Sequence, residues 1–159
     1  MDTLEVIKIS KSNARKLYST MPEFKSTLED TFGKAFFTGK ITDRIKTYED
    51  ACVELGVEPL DEKKLRSFGF TDDEINYRKL KTVTKALNQG WVPDWTNTNQ
   101  AKWVPYFRLS SGAFVFNDAC YDYSYASAGY GSRLCFKTRE LARYAGEQFF
   151  EVWTTIIQK

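Results

Sequence analysis

Apolar residues recur at helical spacing in two long stretches and alternate in a third, and glycine, proline and capping residues separate them. Tyr77, Leu80, Val83 and Leu87 form one stripe. Thr71-Asp72-Asp73-Glu74 precedes it as a capping arrangement with acids in the first turn, and Gly90 follows it. A helix from Thr71 to about Asn88 is expected. Leu141, Ala145, Phe149, Val152 and Ile156 form a second stripe, capped by Thr138, and predict a long C-terminal helix. Gly146 inside it costs ~1 kcal/mol relative to alanine, so a close neighbour is expected there.

Shorter elements come from punctuation. Ser10 or Ser12 caps a helix through Leu17 and Tyr18. Pro22 opens another that runs through Leu28 and Phe32 and stops at Gly33. Thr47 and Asp50 cap a helix over Tyr48–Leu55 that Gly56 ends, and Asp61 to Phe68 reads as a short helix ended by Gly69. Leu4 to Ile9 alternates weakly, as a short strand does.

After Gly90 the pattern changes to strands: Trp103 to Leu109, Ala113 to Cys120 and Arg133 to Phe136. Ser110-Ser111-Gly112 makes a hairpin turn between the first two. Residues 121–132 are either strand plus loop or one irregular excursion. The order predicts an α+β fold: a helical N-terminal portion, a small antiparallel sheet of about three to four strands, and a long C-terminal helix packed on it. One domain over 1–159 is expected, helical over about 1–90 and aromatic-rich over about 91–159. A short echo links Trp91-Val92-Pro93-Asp94-Trp95 with Trp103-Val104-Pro105-Tyr106-Phe107.

Composition removes chemistries. The chain has no histidine, which excludes Ser-His-Asp and Cys-His catalysis and His-ligated metals. Net charge is +2 over 159 residues, with no basic arm or acidic tail, so overall charge demands no nucleic acid and forbids no local patch. Cys52, Cys120 and Cys135 form no disulfide framework and no CxxC pair. A reducing, cytoplasmic setting fits, with no signal peptide and no run of 18 apolar residues for a membrane. Nothing in the pattern calls for a cofactor.

Sixteen of the 25 aromatic residues follow Gly90, which makes this half the place to look for a site. Tyr121, Tyr123 and Tyr125 share one face of an extended strand, and Tyr130 follows. Such a ladder stacks on bases, with Arg108 and Arg133 on phosphate. The same tyrosines can instead pack under the C-terminal helix. Gly129 and Gly131 flank Tyr130 before Ser132 and Arg133, either as a small anion-binding nest or as a flexible loop. Arg78, Lys81 and Lys85, with Lys79 alongside, lie on one helical face, either against a phosphate backbone or simply solvated. Asp118 and Asp122 are the carboxylates nearest a metal-binding arrangement, though no pattern supplies further ligands. Cys120 and Cys135 lack a base partner.

Three segments carry a resemblance: Thr31-Phe32-Gly33-Lys34 leading into 41–52 (ITDRIKTYEDAC), then 86–95 (ALNQGWVPDW), and 132–142 (SRLCFKTRELA). Together they resemble an uncharacterised family of short accessory proteins from Bacteroidetes genomes, their prophages and related mobile elements, over roughly residues 30 to 150. The resemblance implies an accessory protein of a phage or mobile element, and it brings no functional residue with it. The expected function is a non-enzymatic binding protein for single-stranded nucleic acid or a small nucleotide. The alternative is a structural or interaction protein, such as a virion component or a modulator of a host protein. There Trp91, Trp95 and Trp103 would form a protein interface or homo-oligomer contact. A metal-dependent enzyme using Asp118 and Asp122 is the third reading.

Overall fold

The computed structural model describes residues 9–123 and 132–158. The expected strand over Leu4 to Ile9 lies almost wholly outside the described residues, as do Tyr125, Gly129, Tyr130 and Gly131.

The N-terminal part is helical. Helix α1 (Lys11–Thr20) is capped by Ser10, whose hydroxyl accepts the Asn13 N–H at 3.2 Å. A 3-10 turn over Pro22–Phe24 leads into α2 (Lys25–Phe32), which ends at Gly33 with φ +81°. Two short helices follow, α3 (Lys34–Thr38) and α4 (Ile41–Arg44). Helix α5 (Tyr48–Leu55) has a full capping box: Thr47 accepts from Asp50 N–H at 3.1 Å, and Asp50 accepts from Thr47 N–H at 3.0 Å. Helix α6 (Glu62–Ser67) starts on Asp61, and α7 (Asp72–Leu87) on Thr71, where Glu74 accepts both the Thr71 N–H and its hydroxyl.

The sheet is a two-stranded antiparallel hairpin of β1 (Lys102–Ser110) and β2 (Ala113–Asp122). Ser111 (φ +51°) and Gly112 (φ +81°) form its two-residue turn, with the positive φ pair that matches strand twist. The register slips between Tyr106 and Phe107, so Asn117 is an extra residue in β2. That bulge turns Phe116 and Ala119 to the same face as Pro105 and Phe107.

The expected third strand does not form. Ser132–Leu134 is a 3-10 turn, and only Phe136 bridges β1, exchanging two backbone bonds with Trp103 (2.7 and 3.0 Å). The pairing stops there because the 3-10 turn over Ser132–Leu134 lies on one side and Thr138, which caps the next helix, on the other. The outward-facing Cys135 C=O and Lys137 N–H bond the side chain of Asn88.

The expected long C-terminal helix is also two. Helix α8 (Arg139–Gln148), capped by Thr138, ends at Phe149 (φ −111°, ψ +28°), and α9 (Phe150–Ile157) leaves in a new direction. Helix α8 packs on the hairpin and α9 on α7, and one straight rod cannot lie on both. The α+β class stands, with two strands and short C-terminal helices among the described residues.

One buried cluster joins the parts. Trp153, Phe136, Leu134 and Ile45 are fully enclosed together with Leu80, Val83 and Leu87 of the α7 stripe. Tyr144 reaches across to donate to the Ile45 C=O at 2.5 Å. No helix among the described residues is long and apolar enough to cross a membrane.

Candidate functional site

The α7 stripe that buries Leu80, Val83 and Leu87 leaves Lys81 and Lys85 on another face, because three- and four-residue steps separate faces as well as align them. At the end of α7, Gln89 (φ +48°) and Gly90 (φ +85°) reverse the chain. Trp91 N–H bonds the Asn88 C=O at 2.9 Å, and the segment 91–95 runs on as one wall beside the helix.

Asn88 builds the opposite wall. It is 6% exposed, and both ends of its amide are occupied: Nδ2 donates to the Cys135 C=O at 2.9 Å, and Oδ1 accepts from Lys137 N–H at 3.0 Å. This clamp holds the 133–137 segment against α7 and brings Arg133 to face Lys81 and Lys85. Sequence reasoning took Asn88 for a helix end. The signal that could have found it is a carboxamide after an apolar stripe, which can serve two backbone groups at once.

The cleft between these walls has a volume of about 310 Å³. Three cations line it, Lys81, Lys85 and Arg133, and no carboxylate does. None of the three has an ion-pair partner among the described residues. The indoles of Trp91 and Trp95, with Pro93, supply flat apolar surface. Thr84 also lines the cleft, and its buried hydroxyl has no hydrogen-bond partner among the described residues. An orphaned buried hydroxyl costs about 1–3 kcal/mol.

The loop that carries Trp95 is stiffened from below. The Asp94 carboxylate accepts the Thr96 hydroxyl at 2.6 Å and its N–H at 2.9 Å. Those bonds hold the Asp94 carboxyl below the usual carboxylate range. Lys102, only 2% exposed, donates to the C=O groups of Asn97 and Tyr123, both at 2.8 Å. Its ammonium lies 5.3 Å from the Trp95 ring. Cys135 lines the cleft too, but burial pushes its thiol up to about 11. It is therefore protonated at neutral pH and unsuited to nucleophilic attack. The cleft thus presents cations beside flat apolar faces, surfaces complementary to an anion joined to a planar ring.

The other predicted residues fall elsewhere. Tyr121 and Tyr123 are on the surface, 47% and 45% exposed, so the packing of these two under the C-terminal helix is not what forms. Their rings sit 5.1 Å apart, edge to face, and Tyr121 is tilted on Trp103 at 4.7 Å. An edge-to-face contact covers a face of only one of the two rings, and both tyrosines stay nearly half exposed. Neither tyrosine lines the cleft, nor does Arg108, which is exposed in β1 opposite Val115. Asp118 is occupied by Arg139, with Arg143 at 3.6 Å, so its carboxylate ties β2 to α8. Among the described residues no group of three His, Cys, Asp or Glu stands ready for a metal ion. No known protein family, curated protein or solved structure matches the chain.

Proposed function

We propose that this chain is a non-enzymatic binding protein whose ligand joins phosphate to a flat ring, as a nucleotide unit does, free or within a single strand. The observation that carries the reading is the set of three cations, without ion-pair partners among the described residues, and two indoles around one cleft that no described carboxylate lines. Lys81, Lys85 and Arg133 hold phosphate, and Trp91 and Trp95 stack on the base. Of the residues expected from sequence this site uses Arg133, with Trp91 and Trp95 in place of Tyr121 and Tyr123. The setting implied by the resemblance, an accessory protein of a phage or mobile element, accords with such a role.

Tryptophan fluorescence titrated with nucleotides and single-stranded oligonucleotides tests it. A saturable change is expected, weakened about tenfold or more by Lys85→Ala or Arg133→Ala, as loss of a charged hydrogen bond predicts. Variants that keep the wild-type far-UV spectrum and bind as well as wild type would sink the assignment.

One observation favours a second reading, a protein interface. Tyr106, Leu109, Tyr121 and Tyr123 stand exposed along the hairpin, and aromatic residues dominate interface hot spots. Light scattering that shows a stable oligomer, lost on Tyr121→Ser with Leu109→Ser, would select it over the nucleotide reading.

A further inference from the structure

The basic row does not end at the cleft. On the other side of Lys81 and Lys85 a second cleft of about 350 Å³ opens, bounded by Leu55, Val57 and Leu60 and reached by Arg78. The two clefts share Lys81 and Lys85, and no carboxylate lines either. Arg78 to Lys85 spans about 10 Å along α7 at 1.5 Å per residue, and Arg133 extends the row beyond it.

The surrounding cations are treated differently. Lys79 pairs with Glu62, Arg66 with Glu62 and Asp72, and Arg139 with Asp118. Arg78, Lys81, Lys85 and Arg133 have no such partner among the described residues. Arg78 instead lies 4.7 Å from the Phe70 ring and Lys81 5.3 Å from the Tyr77 ring, contacts that position a cation without neutralising it. A free nucleotide would occupy one cleft and leave the other cation-lined cleft unused.

We infer that the ligand is a single strand of nucleic acid rather than a free nucleotide, its phosphates following the row Arg78, Lys81, Lys85 and Arg133 across both clefts. The inference rests on the nucleotide reading above and narrows it. The apolar wall of Leu55, Val57 and Leu60 then receives the face of a second base, as sequence-tolerant strand binders use apolar surface beside a charged track.

The experiment compares thymidine monophosphate, oligothymidylate and oligouridylate of about eight nucleotides, and the same DNA as duplex, over a range of salt. Wild type and Arg78→Gln are titrated side by side, with Lys63→Gln, an exposed lysine outside the row, as control. The oligonucleotide is expected to bind at least about tenfold tighter than the monophosphate, with a log–log salt slope near −2.8 from four contacts at ~0.7 each. Arg78→Gln lowers that slope by about 0.7 and weakens the strand about threefold or more, leaving the monophosphate untouched. The two oligonucleotides separate DNA from RNA. Equal affinity for strand and monophosphate, tighter binding of duplex than strand, or indifference of the strand to Arg78→Gln overturns the inference while the nucleotide reading survives. No binding of any of them overturns both.

Discussion

Gly146 is buried in the middle of α8, where alanine would normally stabilise the helix by ~1 kcal/mol. Here the expected sign is reversed. A Cβ built on Gly146 would stand 2.7 Å from Cδ2 of Phe116, nearer still to Cε2 of that ring, and 2.9 Å from Cβ of Pro105. Pro105 is fully buried in β1 and its backbone is locked by its ring, so it cannot yield. Phe116 is held edge-on to Phe107 at 5.8 Å, so turning it away disturbs a second core ring. Overpacking costs about 1–3 kcal/mol; clashes under 3.0 Å with two neighbours at once put this site at about 2–3 kcal/mol, and subtracting the ~1 kcal/mol helix gain leaves Gly146→Ala about 1–2 kcal/mol less stable. For a chain of this size that lowers Tm by about 3–6 °C. Urea unfolding followed by far-UV dichroism and by fluorescence of the buried Trp153 measures it. Adding Phe116→Leu should recover part of the loss, with a coupling above about 0.5 kcal/mol in the double-mutant cycle. A Gly146→Ala variant as stable as wild type, or more so, would refute the close packing of α8 on the hairpin.

Two further predictions concern the core and its titration. Glu54 is the shared carboxylate of Arg15 and Arg44, all three side chains about 85% buried or more, and the Nε of each arginine already lacks a partner among the described residues. Glu54→Gln should destabilise by about 3 kcal/mol by leaving two buried guanidinium groups uncompensated. A urea midpoint unchanged from wild type would show that the cluster does not depend on it. Burial pushes the hydroxyls of both Tyr48 and Tyr144 up to about 12 from an ordinary 10.0. Their folded values lie above the unfolded one, so their contribution is complete below pH 10 and is lost as pH rises from 10 to 12. Absorbance at alkaline pH should show one late-ionising tyrosine fewer in Tyr144→Phe than in wild type, and stability that stays level across this window would contradict the burial.

Local chemistry was legible where a residue and its near neighbours decide the outcome. The Thr47 and Asp50 box, the stop at Gly56, the Thr138 cap and the Ser111-Gly112 turn all form, because each needs only a few consecutive residues. Gly146 was legible as a close approach, though not what approaches it. The C-terminal stripe misled because helical spacing continues unbroken through Phe149, while the change of partner from hairpin to α7 bends the chain there. Arg133 to Phe136 misled because a short apolar run marks burial and not ladder pairing. The echo of 91–95 in 103–107 shows the same limit: one copy walls a cleft and the other lies in β1.

The candidate site was half legible for the same reason. From sequence alone follow the helix bearing Arg78, Lys81 and Lys85, its orientation by the Leu80 and Val83 stripe, and the absence of imidazole chemistry. Tertiary structure decided which cations are left unneutralised. Glu62 takes up Lys79 from the next helix, Asp118 takes up Arg139, and Asn88 carries Arg133 to the cleft across more than forty residues. Charge pairing depends on separation in space, which side-chain spacing along one helix cannot report.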